Sequence, residues 1–234
     1  MNIGVKNESS LHRILKLHYA GTGGSTETPV GDFFADGIRA DGEYIEIQTG
    51  NFAPLKKKVR EYTAAGKVRI VHPIATNKRI ETYDAAGNLL SKRKSPSHGT
   101  PWHLFDALAH APELPLINGV TIEILMVDIA ERRVKDGTGS WRRKGVRIAG
   151  KDITAFNERI VLSQATDYHF FVPFSPDEEF TAKTFTTRIG VKTRIAQKTL
   201  YTLAKMGVIL RVGKQRNAYI YSINHKNHKK RETH

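Results

Sequence analysis

The chain has no cysteine, only 2 tryptophans and 3 methionines in 234 residues, and far fewer acids than bases, 23 against 37. Without cysteine there is no disulfide and no thiolate metal site, so any metal would be held by carboxylate, imidazole, carbonyl or water. Mean hydropathy is −0.41, no run of about 18 apolar residues occurs, and the first residues carry no apolar signal core. These absences imply neither membrane nor secretion, and the expectation is a cytoplasmic protein. Internal repeats, a heptad run, a glycine-rich phosphate loop and a Ser/His/Asp spacing are missing as well.

The excess of base is present unevenly. Residues 1 to 90 carry 12 Lys/Arg against 10 Asp/Glu, residues 91 to 176 carry 12 against 9, and residues 177 to 234 carry 13 against 4. A formal charge of +14 favours a polyanionic partner. Its main footprint is the last quarter of the chain.

The acids of the first part are grouped informatively. In Asp36-Gly37-Ile38-Arg39-Ala40-Asp41-Gly42-Glu43-Tyr44-Ile45-Glu46-Ile47-Gln48, Asp-Gly is a turn signal between runs that alternate like strands. With Ala40-Asp41-Gly42 as a three-residue loop and Gly42 left-handed, Arg39 faces Glu43, Ile38 faces Tyr44 and Asp36 faces Glu46. Asp36, Glu46 and Gln48 then share one face while Ile45 and Ile47 enter a core. Opposed carboxylates repel unless a cation lies between them. A hard divalent ion, most simply Mg2+, resolves the repulsion.

At these residues the chain resembles the PD-(D/E)XK nuclease superfamily, the restriction-endonuclease-like fold of restriction enzymes and Holliday-junction resolvases. Asp36 matches the first acid and Glu46-Ile47-Gln48 the Glu-X-Lys tripeptide. A helix from about Glu8 to Tyr19 carries an acid, although Glu8 before Ser9 and Ser10 also reads as an ordinary helix start. An amphipathic helix near Leu55 to Ala65 leads into the apolar strand Val68 to Ile74, completing the family's core order over roughly the first 75 residues.

The resemblance implies that Asp36, Glu46 and the Ile47 carbonyl ligate Mg2+, for which Mn2+ can substitute, with Glu8 oriented toward the metal directly or through water. Gln48 departs from the usual lysine, which places positive charge near the attacking water or scissile phosphate. Some members tolerate glutamine or supply the lysine from the next helix. Lys58, in the run Lys56-Lys57-Lys58, is the chosen substitute, with Gln48 positioning the water.

From Phe180 the pattern changes. A short helix over 181–189, a turn at Gly190-Val191 and a longer helix from Lys192 to Met206 ending at Gly207 precede strands Val208–Val212 and Ala218–Ile223 around Gly213-Lys214-Gln215-Arg216-Asn217. This order resembles the winged helix-turn-helix family over about 45 residues. Ala196, Leu200 and Leu203 form an apolar stripe, leaving Thr193, Arg194, Gln197, Lys198 and Tyr201 to face DNA edges or phosphates, with Lys214 and Arg216 on the wing. A solvated basic face or a dimerisation surface is the competing reading. The end, 225–234, reads as a disordered basic arm.

Between these parts, Ile80–Tyr83 and Leu89-Leu90 flank a second hairpin turn. The basic, breaker-rich stretch Ser91 to Pro101 reads equally as a phosphate track or a linker. Trp102 to Leu108 suits an amphipathic helix and Val120 to Val134 contains a long strand. Its Glu123 and Asp128 read as a second metal site or, more simply, as a strand's wet face. Trp141-Arg142-Arg143-Lys144 reads as a phosphate clamp or an exposed turn.

The expectation is an α/β protein: a restriction-endonuclease-like mixed sheet flanked by helices over 1–162, a winged helix over 163–224 and a tail over 225–234. It would be a Mg2+-dependent endonuclease on double-stranded DNA, leaving 5′-phosphate and 3′-hydroxyl ends and associating with the nucleoid when bound. Paired cleavage of both strands requires two sites, hence a homodimer. The alternative is a noncatalytic winged-helix regulator with a degenerate nuclease-like domain, supported by the missing lysine. An RNA-directed role has no stacking motif behind it.

Overall fold

A computed structural model describes residues 10–139 and 141–224. Glu8 and the expected tail at 225–234 lie outside the described residues. The chain runs α1 (Ser10–Ala20), β1 (Ser25–Val30), β2 (Phe33–Ile38), β3 (Tyr44–Ile47), α2 (Leu55–Ala65), β4 (Val68–Asp84), β5 (Leu89–Lys94), α3 (Leu104–Leu108), β6 (Val120–Lys135) and β7 (Val146–Leu162). These build a seven-stranded sheet in the order β1-β2-β3-β4-β6-β7, with β5 paired to β4. The strands β3, β4 and β6 are mutually parallel and the other pairings are antiparallel. The fold is therefore α/β, with a mixed sheet flanked by helices.

Helix α1 lays Leu11, Leu15 and Tyr19 on one sheet face against Ile45, Ile47, Val71, Leu125 and Val127. That 4-residue spacing is the apolar stripe of an amphipathic helix. The opposite face receives Val59 and Tyr62 of α2 and Leu104, Phe105 and Leu108 of α3, over Val68, Ile70, Ile122 and Ile124. Because both faces are covered, the near halves of β4 and β6 are apolar almost throughout.

The far halves of β4, β6 and β7 run on beyond the helices. There β4 continues past Thr76 to Asp84, so Ile80–Tyr83 belongs to it and not to a separate strand. The basic stretch taken for a loop or linker is divided: Ser91 to Lys94 is strand β5, pairing Arg79↔Lys94 to Thr82↔Ser91. Every residue of β5 is exposed.

The C-terminal part consists of β8 (Phe180–Thr181), α4 (Ala182–Ile189), α5 (Thr193–Lys205), β9 (Ile209–Gln215) and β10 (Ala218–Ile223), with sheet order β8-β10-β9. Thr181 caps α4 by accepting the Thr184 N–H at 3.3 Å, and Gly190 ends it at φ 66, a left-handed position suited to glycine. Although β7 ends at Leu162, the apolar core continues through Tyr168, Phe171 and Phe174 to Phe180, Phe185 and Leu200. The rings of Phe174 and Phe180 stack 4.1 Å apart. The two parts thus share one core.

Candidate metal centre and nucleic-acid interface

The expected hairpin is present. Ile38 pairs with Tyr44 and Gly37 with Ile45; Arg39 N–H donates to Glu43 O at 3.0 Å and Gly42 sits at φ 83. Beyond Gly37 the two strands part. The Ile47 N–H, which a continued ladder would satisfy from the backbone, instead donates to Asp36 Oδ2 at 2.8 Å.

This parting separates the environments of the two acids. Asp36 is met from α1, by Lys16 Nζ at 3.3 Å and by His12 Nε2 at 3.3 Å. The same His12 nitrogen lies 2.9 Å from the Ile47 carbonyl; since both neighbours accept, it must carry a proton. Glu46 is met from α2, with Lys58 Nζ 2.6 Å from Oε1 and 2.8 Å from Oε2. The expectation that Asp36, Glu46 and Gln48 share one face is corrected: Asp36 is met by α1 and Glu46 by α2, the helices on opposite faces of the sheet, and Glu46 is buried, at 3% exposure. Gln48 donates its side-chain amide to Asn51 O at 2.5 Å.

The electrostatics of the pair are asymmetric. Burial opposes ionisation of Asp36, but hydrogen bonds from His12 and Ile47 and the charges of His12 and Lys16 outweigh it, so its pKa is lowered. For Glu46 burial dominates and Asp36 adds repulsion; against the pull of Lys58 its pKa is pushed up to about 7. Glu46 Oε1 is buried without a hydrogen-bond donor in good geometry, so its contact with Lys58 is ionic rather than directional. The Tyr62 hydroxyl is likewise buried with no hydrogen-bond partner, its pKa raised by burial and then by the charges of Glu46 and Asp36.

Among the described residues no group of three or more His, Asp or Glu side chains converges on a metal position. Two carboxylates and the Ile47 carbonyl are nevertheless the all-oxygen donors a hard cation takes. The half-satisfied Glu46 and its repulsion by Asp36 are what a divalent ion would relieve, so the residues present fit such an ion.

Sequence reasoning missed His12, Lys16 and Glu27. Glu27, at φ 52 in β1, ion-pairs with Lys16 beside Asp36. The available signal was the i, i+4 spacing of His12 and Lys16, which puts both on one stripe of α1.

Glu123 and Asp128 form no second metal site. Glu123, wholly buried, accepts from Arg69 Nη1 at 2.6 Å, Arg159 Nε at 2.6 Å and the Tyr19 hydroxyl. Its pKa is lowered: burial works against ionisation and these donors overcome it. Asp128 accepts from Asn77 and Asn157, each at 2.9 Å.

On α5, Ala196, Leu200 and Leu203 are buried as the spacing requires, and Thr193, Gln197 and Tyr201 are exposed. Arg194 is exposed as well, and both it and Lys198 are ion-paired. Arg194 Nη1 lies 2.8 Å and Lys198 Nζ 3.0 Å from Asp106 Oδ1 on α3. On the hairpin, Lys214 lies within β9 opposite Tyr219, while Arg216, at φ 53, and Asn217 form the turn.

A mixed α/β sheet with an acidic pair at the parting of two strands is the class that this geometry defines. The chain belongs to the family described as Domain of unknown function (DUF8091), which matches residues 9–163. The match ends one residue past β7. An uncharacterized protein of Treponema pallidum (strain Nichols) is 24% identical over 153 residues, covering 65% of this chain and 61% of that protein. The matched stretch is thus about three-fifths of the relative's length. No solved structure matches the chain.

Proposed function

We propose that the protein is a Mg2+-dependent DNA endonuclease whose sheet is of the restriction-endonuclease-like kind and whose C-terminal part is a winged helix. One observation carries the reading: two buried or half-buried carboxylates, Asp36 in β2 and Glu46 in β3, lie close enough beside the Ile47 carbonyl for Asp36 to repel Glu46, whose pKa is pushed up to about 7. Perturbed carboxylates of this sort concentrate at functional sites. When bound by Asp36, Glu46 and the Ile47 carbonyl, Mg2+ supplies an acidified water and neutralises charge on the phosphate.

The chain's own residues do the rest. Lys58 favours the ionised form of Glu46, and His12 and Lys16 do the same for Asp36. His12 Nε2, in contact with Asp36 and the Ile47 carbonyl, holds those two oxygens side by side. Gln48 leaves Asn51 to orient the attacking water. The order β8-α4-α5-β9-β10 supports a winged helix, in which Thr193, Gln197 and Tyr201 approach the DNA edges and Arg216 the backbone. Cutting both strands would take two copies of the chain.

The test is incubation of supercoiled plasmid, linear duplex and branched DNA with Mg2+, Mn2+ or EDTA, beside Asp36→Ala and Glu46→Ala. Metal-dependent cutting that both variants lose, while still binding DNA, is the expected result. A noncatalytic regulator is the second reading, favoured by Gln48 in the usual lysine position and by the engagement of Lys58 with Glu46. Binding without cutting under either metal would establish it.

A further inference from the structure

A groove of about 990 Å3 opens between the start of α1 and the far halves of β6 and β7. Leu11 and Arg13, either side of His12, form one wall with Thr49, the residue after Gln48. From there it follows the far halves of β6 and β7 past Arg132, Lys151 and Arg147, and no carboxylate is among its lining residues. Two of these cations are ion-paired on the wall, Arg132 Nε with Asp152 at 2.8 Å and Arg147 Nε with Asp136 at 2.5 Å, yet each is about half exposed and keeps donors toward the groove. Ser10 Oγ donates to Lys151 O at 2.7 Å, fixing this wall to α1. From Lys151 to Val146 the strand advances about 17 Å, long enough for several consecutive phosphates.

The same two strands end in a turn of different character. Gly137 and Gly139 both donate to Gly145 O, at 3.1 and 3.2 Å, closing its neck. Beyond it, Trp141 is 83% exposed, with the Arg142 guanidinium 5.5 Å from its ring and Arg143 and Lys144 following. A single exposed tryptophan is unremarkable on its own. At the end of a basic groove whose first wall flanks His12 and Gln48, a flat ring among cations is a stacking platform for a base.

Resting on the nuclease reading, we propose that the β6–β7 arm carries a single strand of DNA away from the metal centre, its phosphates along Arg13, Arg132, Lys151 and Arg147 and an unpaired base stacked on Trp141. The substrate class is therefore DNA with a single-stranded portion. Blunt duplex offers Trp141 a base face only at its two ends, so the indole discriminates between the two forms.

The test is binding of the full chain, in EDTA, to a fluorescein-labelled oligo-dT of about 20 nucleotides and to a blunt duplex of the same length. Trp141→Ala should weaken oligo-dT binding roughly ten- to hundredfold, with the duplex changed less than about twofold and Trp141→Phe restoring most of the loss by keeping a stacking face. Arg147→Ala and Lys151→Ala should each lower the salt slope for oligo-dT by about 0.7. Unchanged oligo-dT affinity in Trp141→Ala, or equal weakening on both DNAs, would overturn the proposal. Because no metal is present, failure of the nuclease reading shows in the cleavage assay and failure of the strand track shows here.

Discussion

Replacing Glu46 by glutamine should make the metal-free protein more stable, and the gain should depend on pH. The carboxyl ionises near 4.5 in the unfolded chain and at about 7 in the fold, so between those values the folded state binds the extra proton. Glu46 therefore favours folding least at high pH: its contribution is fully present below about 4.5 and is lost as pH rises through about 7. At about 1.4 kcal/mol per pH unit, the ionised group destabilises the fold by about 3 kcal/mol at pH 8 and by less than about 1 kcal/mol at pH 5. Glutamine removes that cost, in which the attraction of Lys58 is already included because it lowers the value that burial and Asp36 raise.

The measurement is urea unfolding of wild type and Glu46→Gln in EDTA at both pH values. The difference between the two proteins isolates position 46 from every other titrating group. A gain of about 3 kcal/mol at pH 8, corresponding to a melting shift of about 6 to 12 °C in a chain of this size, should shrink to less than about 1 kcal/mol at pH 5. Adding Mg2+ should then raise the melting temperature of wild type and leave the variant unmoved. A variant destabilised equally at both pH values would refute the reasoning, because it would make Glu46 a structural ion-pair partner of Lys58.

Three other outcomes follow from the same geometry. Glu123→Ala takes one carboxylate from Arg69, which keeps Glu43, and from Arg159, which is about half exposed, and should cost about 1 to 3 kcal/mol in urea unfolding. Since its pKa is lowered in the fold, the wild-type contribution is present above the unfolded value near 4.5 and is lost as pH falls through the folded one, so the gap between the two proteins should narrow in acid. Asp106→Asn releases Arg194 and Lys198 from α3 and should tighten duplex binding several-fold at low salt, an effect that disappears near 1 M salt; fluorescence anisotropy across a salt series reads it. Arg216→Ala should weaken binding to all duplex sequences alike and reduce the salt slope by about 1.

Local signals made much of this legible. Asp41-Gly42 set the hairpin and its register, and four-residue apolar spacing set α2 and the buried stripe of α5, because each is decided within a few residues of chain. The far half of the sheet was hidden for a physical reason. All of β5 is exposed, so Ser91 to Lys94 has no apolar alternation to separate it from a loop. The contact of Asp106 with Arg194 and Lys198 joins residues 88 and 92 apart in sequence, and no period in the chain records it. Likewise, His12 and Lys16 read as the ordinary polar side of a helix until Asp36 is brought under them.

Comparison of the two buried glutamates gives the strongest internal argument for a site at Glu46. Both Glu46 and Glu123 lie in the sheet and both are buried. At Glu123 two arginines and a tyrosine supply hydrogen bonds to both oxygens, and the pKa falls. At Glu46 one lysine faces both oxygens with some help from the Asp36 backbone, a second carboxylate is set nearby, and the pKa rises to about 7. This chain therefore does contain the means to satisfy a buried carboxylate, and the sheet that applies them fully at Glu123 does not do so at Glu46. A structural ion pair gains nothing from that omission. A carboxylate that must exchange its protein partner for a cation depends on it, because an oxygen already held by strong donors would have to surrender them before it could bind.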